Sequence, residues 1–247
     1  MVAMTDPAKI TGNLRDFACR LGISLFGAAD LSSYYDEYRI CRNLLHTYPM
    51  AISIGIRLSD PIVEMIDSED PGALYAHHYR VVNNALDLAS IRIAHRVQEL
   101  GYKALPVPAS QIIDEERLLG AISHKAVAAL AGHGWQGKSL LIINEEYGPR
   151  VRYASILTDA PLEPGTPIEN RCGNCTKCAD ACPVRAIKGA RFKLRPSKAF
   201  DAVDLKACDQ RLWEMSKRPF IGSRVCGVCV KVCPWGRKIR GDHQRAL

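Results

Sequence analysis

The sequence predicts an α+β protein in which an α/β region, residues 1–163, precedes a smaller cysteine-rich region, residues 164–247. Patterns typical of helices and of strands alternate as far as about residue 160. Residues 159–167 then contain three prolines and one glycine, a composition that favours a domain boundary. Eight of the ten cysteines lie beyond this segment, between Cys172 and Cys233.

Elements of the α/β region follow from apolar periodicity and from the turn residues that interrupt it. Apolar residues at helical spacing, followed by glycines, predict helices over residues 7–21, 70–101 and 124–131. Short apolar runs bounded by turn residues predict strands at ISLFGAA (23–29), MAISIGI (50–56), KALPVPA (103–109), SLLII (139–143) and VRYASIL (151–157).

The composition is that of a globular chain. Of the 247 residues, 47% are apolar and 24% are charged, which excludes a disordered tail and a collagen-like repeat. No apolar run approaches the roughly 18 residues that a membrane-spanning helix needs. The N-terminus lacks a basic start followed by an apolar stretch, so we expect no secretory signal, no membrane contact and a cytoplasmic location.

Charge is distributed unevenly along the chain. Residues 1–184 carry a net charge of −4, whereas residues 185–247 carry +11. A basic segment of this kind is suited to contact nucleic-acid phosphates, or to offset the charge of bound anionic cofactors. A solvated basic face accounts for it equally well.

The cysteine spacing predicts two [4Fe–4S] clusters. The run Cys172-x2-Cys175-x2-Cys178-x3-Cys182-Pro183 has the spacing of bacterial ferredoxins, in which the fourth cysteine binds a different cluster. A second copy ends in Cys233-Pro234. Crossing the two copies gives a first set, Cys172, Cys175, Cys178 and Cys233, and a second set, Cys182, Cys208, Cys226 and Cys229.

Zinc and plain packing are the alternatives to the clusters. Structural zinc sites use pairs of C-x2-C knuckles and do not require a third cysteine followed by x3-C-P. Cys19 and Cys41 stand apart from the motif, and we expect them to be small buried hydrophobic residues. The stretch GWQGKS (134–139) lacks the spacing of a phosphate-binding P-loop.

Three stretches resemble the epoxyqueuosine reductase family: CGNCTKCADACPVRAI (172–187), CGVCVKVCPW (226–235) and AGHGWQGKSLLI (131–142). The resemblance implies a nitroreductase-like α/β domain that binds cobalamin, followed by a ferredoxin-like dicluster [4Fe–4S] domain. It also implies that electrons pass through the clusters to the corrinoid. The substrate would be a queuosine-type tRNA epoxide or another small electrophile.

By the same resemblance, cofactor contacts and partners can be assigned. The implied corrinoid contacts are Tyr75, His78, Tyr79, Gly134, Trp135, Lys138, Tyr153 and Gln210. The implied electron donor is a low-potential protein of the ferredoxin or flavodoxin type, and the basic C-terminal region is expected to contact tRNA.

The chain also departs from the family pattern. Leu118 stands where the family carries an aspartate that donates a proton, and the nearest ionisable candidates for a catalytic acid are Asp114 and His124. We also expect the C-terminal repeat domain of longer members, which helps to hold tRNA, to be absent. These departures leave two alternatives open: a non-catalytic dicluster electron-transfer protein that reduces a partner's corrinoid or flavin, or a flavin in place of the corrinoid.

Overall fold

The computed structural model describes residues 6–32, 46–110, 113 and 120–236. The chain divides into two compact units, each assembled from three segments. Residues 1–56, 82–133 and 152–167 form the first unit, and residues 57–81, 134–151 and 168–247 form the second. Within the described ranges, no helix is both long enough and apolar enough to span a bilayer.

A four-stranded sheet dominates the first unit. Its strands are β1 (Leu25–Asp30), β2 (Met50–Arg57), β3 (Ala104–Val107) and β6 (Val151–Thr158), in the order β1-β2-β6-β3. β1 and β2 pair antiparallel with Leu25 opposite Gly55, and β3 and β6 pair antiparallel with Ala104 opposite Thr158. The four strands confirm four of the five predicted strand segments.

Helix α1 (Pro7–Arg20) forms where the sequence predicts it. The Asp6 side chain accepts hydrogen bonds from the backbone N–H groups of Ala8 and Lys9, and Pro7 occupies the first turn, where no N–H partner is needed. Its apolar stripe, including Ile10 and Leu14, is fully buried. The helix therefore forms because its start signal and its buried face coincide.

Two further helices complete the elements predicted for the α/β region. They are α3 (Ala73–Glu99) and α4 (His124–Leu130). Ser123 caps α4 by accepting a hydrogen bond from the Ala126 N–H. Val127 of α4 packs with Ala29, Val107 and Leu157 of the sheet in one buried cluster. Burial against the sheet stabilises this seven-residue helix, which is too short to persist alone.

Short elements make up the second unit. They are α2 (Asp60–Glu64), β4 (Trp135–Gln136), β5 (Ile142–Ile143), α5 (Lys177–Asp180), α6 (Ala199–Ala202), α7 (Leu205–Ser216) and α8 (Val228–Lys231). β4 and β5 pair as an antiparallel hairpin, so the fifth predicted strand, SLLII, is shortened to two residues. Leu140 explains the difference, because its φ of 59° belongs to a turn in which its N–H donates to the Gly137 carbonyl.

A buried arginine anchors α2 within the second unit. The Arg150 side chain is 2% exposed, and its guanidinium donates to Asp60 Oδ1 at 2.9 Å and to Glu64 Oε1 at 2.7 Å. The Leu58 N–H also donates to the Arg150 carbonyl oxygen. The two carboxylates are 25% and 30% exposed, so water screens part of each ion pair, and the contacts hold α2 against the buried Arg150 side chain.

Candidate metal centre

Cysteines of the first set line one cavity in the second unit. The chain folds tightly at Cys172, where the Cys175 N–H donates to the Cys172 carbonyl at 3.0 Å, and α5 then presents Cys178. Cys233 comes from 55 residues further along and meets them at the same cavity. The cysteines that line the cavity are Cys172, Cys175, Cys178, Cys229 and Cys233. The first set is therefore brought together as the crossed spacing predicts.

Cysteines of the second set surround Cys229. The thiols that act on it electrostatically include Cys226, Cys208 and Cys182, with Cys178 of the first set also close. Ala186, Ile187, Ala202 and Val203 form a buried apolar cluster, against which Cys182, Cys208 and Cys229 of the second set and Cys178 of the first set pack. The two sets thus lie next to each other.

The chain turns sharply after Cys182, as the following proline predicts. The Arg185 N–H donates to the Cys182 carbonyl at 3.0 Å, and Arg185 itself has a left-handed φ of 50°. This turn aims the Ala186 N–H at Cys182 Sγ, at 3.3 Å. Backbone N–H groups aimed at sulfur are among the contacts that tune cluster potentials.

All eight clustered cysteines are free thiols. Burial, together with the neighbouring thiols of its own set, raises the pKa of Cys233 to about 11, and burial also raises the pKa of Cys229. Without metal these groups are therefore protonated at neutral pH, so metal binding releases protons. In the described part of the chain, no three His, Cys, Asp or Glu side chains converge as they would around a single ion.

A β-hairpin holds the first cysteine loop from one side. The Asn170 side chain donates to the Gln136 carbonyl of β4 at 2.7 Å and accepts from the Cys172 N–H at 2.8 Å. Lys138, only 4% exposed, donates from Nζ to the Cys175 carbonyl at 2.9 Å. The β4–β5 hairpin therefore fixes the backbone of the loop at two points.

Helix α8 is fixed by contacts with the first turn of α3 and with the segment before it. Gly227 has a φ of +82°, and a Cβ there would lie 2.7 Å from Ile66 Cδ1 and 2.8 Å from the Tyr75 ring. Lys231 donates from Nζ to the Ile66 carbonyl at 2.6 Å. These contacts set the position of Cys226, which precedes Gly227, and of Cys229, which lies in the first turn of α8.

Two predicted corrinoid contacts have buried polar atoms without a partner among the described residues. They are Trp135 Nε1 and Tyr153 Oη. Trp135 is fully buried and packs edge-on against Trp235, with ring centroids 4.7 Å apart. Tyr153 is 6% exposed and stacks on His133 at 5.7 Å, and burial raises its pKa. An unpaired buried donor of this kind fits a polar ligand.

The polar side chains of three other predicted contacts are engaged within the protein. Lys138 lines the cysteine cavity, His78 Nε2 accepts from the Ser59 N–H at 3.0 Å, and Gln210 donates to Glu214 at 3.1 Å. Burial and the nearby His77 lower the pKa of His78, in keeping with a neutral acceptor. These contacts give Lys138, His78 and Gln210 partners within the protein, and their role as corrinoid contacts stays a prediction.

The remaining predicted contacts are Tyr75, Tyr79 and Gly134. Tyr75 is 4% exposed and its ring lies 6.5 Å from that of Tyr79 on the same helix. At Gly134, a Cβ would clash with the Ile143 carbonyl, so the glycine is required by the β4–β5 hairpin itself. Both Tyr75 and Gly134 therefore have a packing role, and corrinoid contact by all three residues stays a prediction.

The structure favours a structural role for His124, one of the two predicted acids. Its Nδ1 lies 2.9 Å from Ser155 Oγ and its Nε2 lies 2.9 Å from the Pro108 carbonyl. A carbonyl only accepts, so Nε2 carries the proton and the neutral ring links β6 to the end of β3. Burial lowers the pKa of His124. Asp114 and Leu118 lie outside the described residues.

The prediction for Cys19 is wrong. Cys19 is exposed, because it lies on α1 outside the buried stripe of Ile10, Leu14 and Ala18. Cys41 lies outside the described residues.

Sequence reasoning missed two residues that support the cysteine loops, Asn170 and Gly227. A signal for Asn170 was present, since an asparagine two residues before Cys172 is a typical start of an Asx turn. For Gly227, the repeated Cys-Gly-x-Cys of both motifs indicated a left-handed glycine, but not the close approach of Tyr75.

Residues 171–236 match the family described as a 4Fe-4S double cluster binding domain. All eight predicted ligands lie within this range. The match confirms the prediction of an iron–sulfur dicluster domain against the zinc alternative. The assignment of each cysteine to one cluster stays a prediction.

Several curated proteins are similar to this chain over part or most of its length. The epoxyqueuosine reductase of Pseudomonas aeruginosa is 30% identical over 280 residues, covering 97% of this chain and 73% of that protein. The epoxyqueuosine reductase of Bacillus anthracis is 40% identical over 118 residues, covering 47% and 30%. That of Aliivibrio fischeri is 29% identical over 175 residues, covering 70% and 43%. The chain thus spans less than half the length of the latter two relatives.

Solved structures confirm the fold class. An epoxyqueuosine reductase from Streptococcus thermophilus superposes with a TM-score of 0.59 at 21% identity, covering 94% of this chain and 67% of that one. A catabolic reductive dehalogenase superposes with a TM-score of 0.73 at 20% identity, covering 95% and 33%. At these identities the likeness establishes the α+β fold alone.

Proposed function

Because the chain belongs to the epoxyqueuosine reductase family, we propose that it is a cobalamin-dependent iron–sulfur reductase. Two clusters would deliver electrons to a corrinoid, and the substrate would be a queuosine-type tRNA epoxide or another small electrophile. The chain spans less than half the length of several curated relatives, so their substrate does not carry over to it directly.

The observation that carries this proposal is the meeting of thiols from two distant stretches of chain. Cys233 reaches the cavity of Cys172, Cys175 and Cys178, while Cys182 lies near Cys229. Adjacent sets of four thiolates suit two [4Fe–4S] clusters, which transfer single electrons. A protein with two such clusters in series conducts electrons between a donor and a second redox group.

Trp135 in the second unit and Tyr153 in the first are each a candidate contact for a corrinoid. Each has a buried polar atom that lacks a partner within the described ranges, as a site shaped for a polar ligand would have. When bound, the corrinoid supplies a nucleophilic, redox-active cobalt that the side chains of this protein do not provide. The protein's own contribution would be to orient the ligand and to exclude water, which the burial of both rings favours.

One anaerobic preparation tests the proposal. The full chain is expressed with iron and cobalamin, and iron, sulfide and cobalt are measured per chain. We expect about eight iron atoms, corresponding to two cubane clusters, and one corrinoid with a cob(II)alamin resonance by electron paramagnetic resonance. Two clusters with no corrinoid, or with flavin extracted in its place, would contradict the cobalamin part of the proposal.

We propose RNA as the substrate class on the basis of charge. Residues 185–247 carry a net charge of +11, suited to contact phosphates. A solved epoxyqueuosine reductase that is 20% identical to this chain was crystallised with an epoxyqueuosine-modified tRNA stem loop. We expect binding of a tRNA stem loop to weaken steeply with salt, and turnover only with the modified loop. Salt-dependent binding without turnover would indicate phosphate contact alone.

A non-catalytic electron carrier is the second candidate, favoured by Leu118 at the position of the family's proton donor. It predicts two reducible clusters and no turnover of any epoxide. Loss of turnover in D114N, with both clusters retained, would exclude the carrier and assign the acid to Asp114. Equal turnover in D114N and wild type would exclude Asp114 as the acid.

A further inference from the structure

The cysteine cavity of the second unit has one cationic side chain at its wall. Among the described residues that line it, Lys138 alone carries an ammonium group, and the other lining side chains are thiols or uncharged. Lys138 is 4% exposed, so its charge is shielded from solvent. A buried charge interacts with its neighbours more strongly than a surface charge, because little water screens it.

The position of this ammonium is fixed by the hairpin that carries it. Gly137 and Leu141 close the β4–β5 turn through a 2.8 Å hydrogen bond, and Lys138 Nζ donates to the Cys175 carbonyl at 2.9 Å. The side chain is therefore held at the first set rather than free to swing into solvent. Of the second set, only Cys229 also lines this cavity, and the Lys138 hydrogen bond is made to the first set.

We propose that Lys138 raises the reduction potential of the cluster bound by the first set, while leaving that of the second set unchanged. A [4Fe–4S] cluster with four thiolates carries about −2 when oxidised and −3 after one electron is added, so a nearby cation stabilises the reduced form. The electron comes from an external low-potential reductant, and no bond to Lys138 forms or breaks. The inference rests on the cysteine assignment proposed above, but not on the corrinoid or the substrate.

Charge and hydrogen bonding are separated by four variants of the full chain. K138M removes both the charge and the donor, K138Q removes the charge but keeps a donor, and K138R keeps both. K193M is the matched control, because Lys193 belongs to the same unit but is 77% exposed and paired with Glu169. Each purified protein is titrated anaerobically with dithionite, and both clusters are followed by electron paramagnetic resonance.

We expect K138M and K138Q to disfavour reduction of one cluster about tenfold, which is about 59 mV toward lower potential for a one-electron couple. The other cluster, as well as both clusters of K138R and K193M, should keep the wild-type potentials. If K138M and K138Q bind less iron than wild type, the potentials are measured on the fraction that contains clusters. Unchanged potentials in that fraction would overturn the inference and leave Lys138 with a structural role only.

Failure of this inference is distinct from failure of the proposed function. Wild-type protein with fewer than two clusters would contradict the cysteine assignment itself. Two clusters that both shift in K138Q would overturn the selective placement of Lys138 at the first set.

Discussion

The two cysteine motifs provide a matched pair of glycines for testing how close packing supports the clusters. Gly173 follows Cys172 and Gly227 follows Cys226, and both have left-handed backbones, with φ of +51° and +82°. A Cβ at Gly173 would meet nothing within 4 Å, whereas a Cβ at Gly227 would lie 2.8 Å from the buried Tyr75 ring. Replacing each by alanine therefore separates backbone strain from steric clash.

The expected free energies follow from these two terms. An alanine in the left-handed region costs about 1–2 kcal/mol, which both G173A and G227A incur. Overpacking adds about 1–3 kcal/mol at Gly227, because the Tyr75 ring is only 4% exposed and cannot move away. The difference between the variants is then about 2 kcal/mol. With a urea dependence of about 2 kcal/mol per molar, that difference is about 1 M in the unfolding midpoint.

Cluster absorbance provides the assay for this difference. Holo-protein is incubated anaerobically in increasing urea, and the visible absorbance and the iron per chain are recorded. We expect G227A to lose its clusters at about 1 M less urea than G173A, and to purify with less iron in the second set. Equal unfolding midpoints would show that backbone strain alone accounts for the lost stability of both variants, and that the contact between α8 and Tyr75 adds nothing measurable.

Three further changes test other contacts. N170A should lower the iron content by loosening the loop at Cys172, whereas N174A, at an exposed asparagine in the same loop, should not; equal iron in both would refute the role of Asn170. H124Q should preserve turnover and should reduce the loss of stability on acidification. Burial holds the pKa of His124 in the folded protein below about 6.5, so on acidification the unfolded chain binds the proton first and wild-type stability falls. If H124Q instead removed one ionisation from the pH–rate profile, His124 would be the catalytic acid. Y153F should raise the urea midpoint of cofactor-free protein by about 0.5 M, since it removes an unpaired buried hydroxyl worth about 1 kcal/mol; a lower midpoint would reveal a partner for Tyr153 Oη.

Local signals in the sequence predicted much of the fold and the cysteine sites. Asp6 and Pro7 mark the start of α1, and the spacing of the cysteine motifs with Pro183 and Pro234 predicts crossed sets. Each signal depends on residues a few positions apart, whose chemistry acts within one turn of chain. The crossed assignment itself rests on the repetition of the motif and stays a prediction.

What sequence reasoning missed depends on contacts between distant segments. Lys138 reaches the Cys175 carbonyl, and Asn170 reaches the Gln136 carbonyl across 34 positions. Likewise, residues 57–81 and 134–151 join the cysteine-rich unit, which no local pattern indicated. The sequence does not show which backbone carbonyl accepts a hydrogen bond from a side chain, because every residue has a backbone carbonyl.

Two kinds of residue should affect electron transfer in different ways. The cysteine thiols determine how many clusters, and so how many electrons, the second unit can hold. The β4–β5 hairpin and the Gly227 contact determine the surroundings of each set. Cluster potentials respond to nearby charge, hydrogen bonds and burial. Mutations in the β4–β5 hairpin and at the Gly227 contact should therefore change the potentials without removing iron. Lys138 donates to Cys175 of the first set, and the Ala186 N–H is aimed at Cys182 of the second. If the proposed assignment of cysteines holds, the two potentials can be changed separately, as an ordered transfer from donor to acceptor requires.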